Sequence, residues 1–260
     1  MKISTHRYRA VLIANSIALV LLLTCCKSQI TPIKTSILTM QQVEMNGTID
    51  ATTDSIISTY RNDITKLMNR QIGECDELLE AYRPEGGLSR FAADVVLIEA
   101  QKVCTELNIK TPMLSLLNTG GIRASLHKGT VTVQNIFEIS PFENSLVIIT
   151  LSGEELQEAF QHIAQRGGEP LSGATLTICN GNAKKITINN TPLNSDQQYI
   201  LATNSYLAAG GDGFKMLKNT KQFDTGIMIR DLMIKHVELL GKNGQHIVDP
   251  ANTRITVENE

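Results

Sequence analysis

Residues 118–126 read NTGGIRASL. They follow the apolar run 113–117, which has the length of a buried strand. A glycine pair lets the backbone approach a ligand closely, and Arg123 comes directly after it. This pattern predicts a loop at a strand end that presents a guanidinium group to an anion. The alternative is an ordinary turn with a solvated arginine.

Three further loops have the same character, since each combines small residues with arginine, aromatic or acidic side chains. The second loop surrounds a glycine pair with two arginines at the start of a predicted helix. The third places a phenylalanine after a proline, and the fourth places a tyrosine six residues before an aspartate. The three loops are AYRPEGGLSRFAAD (81–94), ISPFENSL (139–146) and NSYLAAGGDGF (204–214).

The arginines of these loops suit a phosphate or a carboxylate. Arg83, Arg90 and Arg123 offer forked donors that match the oxygens of such groups. A helix N-terminus near Leu88 would add free N–H groups and the positive end of a helix dipole. An anion site is therefore predicted from a few converging residues.

The remaining groups suit a base and a sugar. Phe142 and Tyr206 can hold a flat ring between them, and stacking on one aromatic contributes roughly 1–3 kcal/mol in single-strand nucleic-acid binders. Asp212 can accept hydrogen bonds from sugar hydroxyls, as an acidic residue does in dinucleotide sites. Phosphate, ribose and base groups together predict a nucleotide site. Taken singly, Phe142 is also explained as a core residue and Asp212 as a turn former.

In this order and spacing the loops resemble the C-terminal domain of the 5'-nucleotidase family, which includes UDP-sugar hydrolases, over residues 46–258. In that family this domain binds the base and ribose of the substrate and contributes arginines to its phosphate. The resemblance implies a single domain of the α+β class, with mixed helices and strands. The substrate-binding residues that it implies are Arg83, Arg90, Asn118, Gly121, Arg123, Phe142, Asn144, Tyr206 and Asp212.

The sequence departs from that family in its metal ligands. The complete enzymes carry a metallophosphoesterase domain whose two metals clamp the attacking and leaving oxygens. Such domains use Asp-x-His, Gly-Asn-His and His-x-His motifs, and none of the five histidines here lies in one. We therefore expect no catalytic residue, metal ligand or cofactor on this chain, and divalent metals only on a partner chain.

Three functions remain open. In the first, the chain is the nucleotide-recognition half of a hydrolase of nucleotide catabolism and acts with a separate metallophosphoesterase chain. In the second, it is a non-catalytic binder of nucleotides or nucleosides. A purely structural envelope protein is the third, but it leaves the site residues unexplained.

The N-terminus predicts export. Residues 1–26 combine basic residues with a short apolar run that ends in Thr-Cys-Cys-Lys-Ser, which resembles a bacterial lipoprotein signal. Cys26 is the expected lipid-bearing residue, with Cys25 as the alternative, so we expect a membrane-anchored protein of the cell envelope. Residues 27–45 are interpreted as a tether and first strand, and residues 46–260 as the domain. The predicted signal carries three of the 24 basic residues and none of the 26 acidic ones, so without it 24 − 3 = 21 basic residues give a formal net charge of about −5. This charge argues against nucleic acid as a partner.

The rest of the pattern predicts interspersed helices and strands. Helices are expected over 53–68, 88–107 and 153–165, the last begun by a Ser152–Glu155 capping box. Thr225 is expected to cap a final helix over 226–240. Cys75, Cys104 and Cys179 are expected to be buried thiols, with one disulfide as the alternative.

Overall fold

A five-stranded mixed sheet organises the part of the chain that the computed structural model describes, residues 51–258. The predicted signal, Cys26 and the predicted strand near residue 40 lie outside it. Residues 51–258 fall within one compact unit. The helices are α1 (Ala51–Met68), α2 (Gly87–Glu106), α3 (Val133–Ile139), α4 (Gly153–Gln165), α5 (Ser205–Ala208) and α6 (Ile229–Lys242).

Eleven strands form three sheets within residues 51–258. They are β1 (Gln71–Cys75), β2 (Leu114–Leu116), β3 (Gly129–Thr132), β4 (Ser145–Ser152), β5 (Leu171–Ser172), β6 (Ala174–Cys179), β7 (Asn182–Ile188), β8 (Thr191–Pro192), β9 (Gln198–Asn204), β10 (Lys221–Met228) and β11 (Ile255–Glu258). The central sheet has the order β10-β4-β9-β2-β5, a second sheet has the order β11-β6-β7-β8, and β1 pairs with β3. Parallel and antiparallel pairs occur in both larger sheets. The α+β prediction is confirmed.

The central sheet is buried on both faces. In β4, Leu146 and Ile148 contribute to one hydrophobic cluster, while Val147 and Ile149 contribute to another. Successive side chains of a strand point to opposite faces, so the apolar run in β4 supplies both clusters. The first cluster includes residues of α2 and α6, and the second includes residues of α4. A sheet held between two cores is a rigid base for the loops at its edge.

Local signals placed the first three long helices correctly. At α4 the Glu155 N–H donates to Ser152 Oγ over 3.2 Å, and the Ser152 N–H donates to Glu155 Oε2 over 2.8 Å. The predicted capping box is therefore confirmed. Among residues 51–258 no helix is long and apolar enough to cross a membrane.

The predicted start of the final helix is wrong. Residues 221–228 form β10, and the helix begins at Ile229 after Met228. Thr225 does not cap it, because its Oγ1 donates to the Leu146 carbonyl of the neighbouring strand over 2.9 Å. Gly226 lies where the register of β10 against β4 shifts between Asp224 and Met228. The Thr-Gly pair is thus part of an irregular strand edge rather than of a helix start.

Strands β1 and β3 were not predicted. Both are short, and β1 (QIGEC) mixes polar and apolar residues around a glycine, so it lacks the alternation that identifies a strand. Pairing between them, rather than local sequence, makes them strands. Cys75, Cys104 and Cys179 are free and buried, as expected. Burial raises the pKa of the Cys104 thiol, which keeps it protonated at neutral pH.

Candidate functional site

A cleft of about 470 Å³ lies at one edge of the central sheet. The chain order of the sheet explains why distant loops meet there. Strands β2 and β9 are parallel neighbours, so both end at this edge. Strand β4 is antiparallel to β9 and begins there, with Leu146 opposite Asn204. The residues lining the cleft are Asn118, Gly120, Gly121, Arg123, Phe142, Asn144, Tyr206 and Asp212.

Two aromatic side chains stand at the cleft without being part of the core. Phe142 is 46% exposed and Tyr206 is 44% exposed, whereas Phe160 and Phe214 are fully buried. Because apolar side chains are stabilised by burial, two half-exposed rings in one cleft are available to cover a ligand. The exposure of the two rings therefore argues against the alternative of core residues.

Hydrogen bonds from α6 hold the loop that carries Phe142. Arg230 Nη1 donates to the Pro141 carbonyl over 3.2 Å, and its guanidinium lies 4.1 Å from the centre of the Phe137 ring. The Ile229 N–H donates to the Asn144 carbonyl over 2.9 Å. These bonds fix the backbone on both sides of Phe142 while its ring stays exposed.

Asp212 is held by the second aromatic. The Tyr206 hydroxyl lies 2.9 Å from Asp212 Oδ1 and accepts from the Asp212 N–H over 3.1 Å. Asp212 has a positive φ of 52°, which aspartate tolerates better than most residues. The phenol oxygen thus links the ring that would stack on a base to the carboxylate that would accept from a sugar. A phenylalanine at position 206 would lack this link.

The loop after β2 is fixed by a buried amide. Asn118 is 6% exposed, and its Oδ1 accepts from Asn204 Nδ2 over 3.0 Å. A Cβ on Gly121 would lie 2.9 Å from Asn118 Oδ1, which is closer than carbon and oxygen tolerate. A side chain at position 121 would therefore displace the buried Asn118 amide, whose Oδ1 accepts from Asn204.

Arg123 lies at the cleft with an exposed side chain. Its Nη1 donates to the Gly120 carbonyl over 3.2 Å, and its backbone N–H donates to the Ile139 carbonyl over 2.9 Å. The guanidinium offers five donors in a fixed fork, so most of its capacity remains for a ligand.

The structure does not bring Arg90 to the cleft. Its Nη2 contacts both oxygens of Asp249, at 2.6 and 2.7 Å, and Glu85 lies 3.6 Å from its Nη1. Burial is the largest single influence and lowers the pKa of Arg90, but the hydrogen bond and charge of Asp249 together with the charge of Glu85 outweigh it, so the pKa is raised. Only 14% of the Arg90 side chain is exposed, and its guanidinium is already paired with Asp249.

Arg83 is bonded to the segment that follows α4. Its Nε donates to the Gly168 carbonyl over 2.9 Å and its Nη2 to Glu169 Oε1 over 2.6 Å. Its side chain is 37% exposed, but it does not line the cleft. The predicted binding roles of Arg83 and Arg90 therefore find no support in this arrangement, while the other seven predicted residues all lie at the cleft.

Sequence reasoning missed Arg166 and Glu169. Arg166 Nη2 lies 3.1 Å from Asp212 Oδ2, and its Nε lies 2.6 Å from Glu169 Oε1. Both residues flank the glycine pair 167–168, which follows the end of α4 at Gln165. An arginine and a glutamate around a helix-ending glycine pair were the available signal. Among residues 51–258 no group of three His, Cys, Asp or Glu side chains could hold a metal ion.

Comparison with known proteins gives a consistent result. A family model described as 5'-nucleotidase, C-terminal domain, matches residues 64–219. An apyrase from Tabanus yao is 34% identical over 152 residues, which are 49% of this chain and 27% of the apyrase. The trifunctional nucleotide phosphoesterase protein YfkN from Bacillus subtilis is 26% identical over 212 residues, covering 71% of this chain and 14% of that protein.

A solved structure of a 5'-nucleotidase precursor also matches this chain. The crystal structure of a 5'-nucleotidase precursor from Thermus thermophilus matches with a TM-score of 0.68 at 25% identity, covering 80% of this chain and 43% of that chain. The chain thus spans less than half the length of each of these proteins.

Proposed function

Because the chain belongs to the family of 5'-nucleotidase C-terminal domains, we propose that its cleft binds a nucleotide and serves a hydrolase of nucleotide catabolism. The observation that carries the proposal is the lining of one cleft by two half-exposed aromatic rings, a carboxylate and an exposed arginine. These are the groups that a base, a ribose and a phosphate require.

Each group has one role in this proposal. The base stacks between Phe142 and Tyr206, and Asp212 accepts from the ribose hydroxyls. Arg123 donates to the phosphate, since charge-assisted bonds from arginine match phosphate oxygens. Asn118 and Asn144 supply amide groups to the same cleft.

The catalytic metals in this proposal come from a separate metallophosphoesterase chain. Two metals a few ångströms apart need clustered ligands, and residues 51–258 contain no such cluster. The chain would then set which nucleotide is held, while its partner breaks the phosphate ester. The predicted lipid at Cys26 would place both activities at the envelope, and it remains part of this proposal.

Titration of the full detergent-solubilised chain with AMP, UMP, adenosine and ribose 5-phosphate tests the proposal. We expect binding of the nucleotides, weaker binding of adenosine and of ribose 5-phosphate, and no phosphate release with Mn²⁺, Zn²⁺, Co²⁺ or Mg²⁺. Adding a metallophosphoesterase chain from the same organism should produce turnover. Robust metal-dependent turnover by this chain alone would contradict the two-chain enzyme. Nucleotide binding without any response to a partner would favour a non-catalytic binder.

Replacing Arg123 with alanine should weaken binding of AMP by about 1.5–3 kcal/mol, or roughly 10–150-fold, because a hydrogen bond to a charged group is lost. Adenosine should bind almost unchanged, since it has no phosphate. Calorimetric titration of both ligands measures the difference. Arg61→Ala removes an arginine of α1 that does not line the cleft and should change neither affinity. Equal losses for AMP and adenosine would assign Arg123 to loop structure instead.

A further inference from the structure

Glu169 is a fully buried carboxylate at the junction of the loops that form the cleft. It has no exposed surface, although it does not line the cleft itself. A buried carboxylate is unfavourable unless hydrogen bonds and opposite charges compensate it. Four donors do so here, and they come from three different segments of the chain.

The two carboxylate oxygens of Glu169 hold different parts of the site. Oε2 accepts from the N–H and the hydroxyl of Thr119, at 2.7 and 2.8 Å. Thr119 lies between Asn118 and Gly120, so this oxygen anchors the loop that carries Arg123. Oε1 accepts from Arg166 Nε and from Arg83 Nη2, both at 2.6 Å.

Arg166 connects Glu169 to Asp212. Its Nη1 donates to the Asp212 carbonyl over 3.2 Å, and its Nη2 donates to Asp212 Oδ2 over 3.1 Å. Burial is the largest single influence and lowers the pKa of Arg166, but the hydrogen bond and charge of Glu169 together with the charge of Asp212 outweigh it, so the pKa is raised and the guanidinium stays charged. One arginine therefore fixes both the backbone and the carboxylate of Asp212.

Asp212 depends on such support because its own segment is short. It lies in a single 3-10 turn, Gly211–Gly213, between two glycines. Arg166 holds Oδ2 and the Tyr206 hydroxyl holds Oδ1, so the carboxylate plane is set from both sides. A sugar with two neighbouring hydroxyls needs that plane in one orientation, since each hydroxyl bond depends on direction.

We propose that Glu169 and Arg166 are positioning residues that determine the preference of this site for a ribose with free 2' and 3' hydroxyls. Glu169 orients Arg166, and Arg166 orients the Asp212 carboxylate towards the sugar. Glu169 also sets the distance between Asp212 and the loop of Asn118 through Thr119. This inference rests on the proposed function and goes beyond it, because neither residue touches the ligand.

The ratio of affinities for adenosine and 2',3'-dideoxyadenosine tests the inference in the full chain. The two ligands share the base and differ only in the hydroxyls that Asp212 would accept. Glu169→Gln keeps the size of the side chain and removes its charge, while Arg166→Lys keeps the charge and removes the fork. We expect each variant to lose about tenfold or more of the adenosine preference, with dideoxyadenosine affinity largely retained.

Asp94→Asn is the matched control, because it also breaks a carboxylate–arginine pair, to Arg254 over 2.7 Å, away from the cleft. It should leave the ratio unchanged. Thermal melting identifies a temperature at which every variant is folded, and Arg166→Lys carries the test if Glu169→Gln does not fold. An unchanged ratio, or equal losses for both ligands, would overturn the positioning role. If the parent chain binds neither nucleoside nor nucleotide, the proposed function fails, and this inference fails with it.

Discussion

Alanine at both Phe142 and Tyr206 should weaken adenosine binding by up to about 6 kcal/mol, because each base stack contributes roughly 1–3 kcal/mol and the two rings share one base, which couples their effects. Each single variant should lose about half of this. The fold should tolerate the changes, since both rings are nearly half exposed and leave no large internal cavity when removed. Calorimetric titration of the single and double variants gives the affinities, and thermal melting gives the stability.

Phe223→Ala is the matched control for these aromatic variants. Phe223 is also 46% exposed, but it lies on β10 and does not line the cleft. It should leave binding unchanged. Parent-like binding by the double variant would refute the stacking role. A loss of stability comparable with that of Phe160→Ala, about 3–5 kcal/mol for a core phenylalanine, would place the rings in the core instead.

Alanine at Gly168 should destabilise the fold by about 3–5 kcal/mol, because a disfavoured φ and a backbone clash act together. Gly168 has a φ of +115°, and a Cβ there would lie 2.2 Å from the Pro84 carbonyl oxygen. The Gly168 carbonyl also accepts from Arg83, and the next residue is Glu169. Relief of the clash would therefore displace the groups behind the cleft. Denaturant unfolding measures the change.

Gly181→Ala separates the effect of a positive φ from the effect of the backbone clash. Gly181 has a φ of +74°, but nothing lies within 4 Å of a Cβ built on it. Its replacement should cost only the conformational penalty, about 1–2 kcal/mol. Similar losses at the two positions would show that backbone contact with Pro84 is unimportant at Gly168.

Much of the fold could be predicted because its signals are local. The Ser152–Glu155 capping box spans four residues, and α1, α2 and α4 show their apolar faces within one or two turns. The same holds for β4 and β9, whose apolar runs are long enough to identify buried strands. Strands β1, β3 and β10 lack such signals. Pairing with strands that are distant in the sequence stabilises them instead.

The cleft residues themselves could also be predicted, because aromatic, amide and acidic groups in glycine-containing loops have few other uses. Seven of the nine predicted residues line one cleft, and their binding roles remain predictions. Arg83 and Arg90 lie outside the lining of that cleft, and their binding roles also remain predictions. An arginine has the same local sequence pattern whether its side chain faces a ligand or a carboxylate of its own chain.

The sequence by itself determined the Ser152–Glu155 cap, the apolar strands and the set of loops that carry the site. Only the tertiary structure decided which charges are paired. Arg83 meets Glu169 across 86 residues, and Arg90 meets Asp249 across 159 residues. Caps and amphipathic faces depend on neighbours within a few residues, so the sequence shows them directly. Ion pairs between distant segments depend on which strand ends and loops the fold brings together. For that reason the bonds from Thr119 and Arg83 to Glu169, across 50 and 86 residues, could be recognised only in the folded chain.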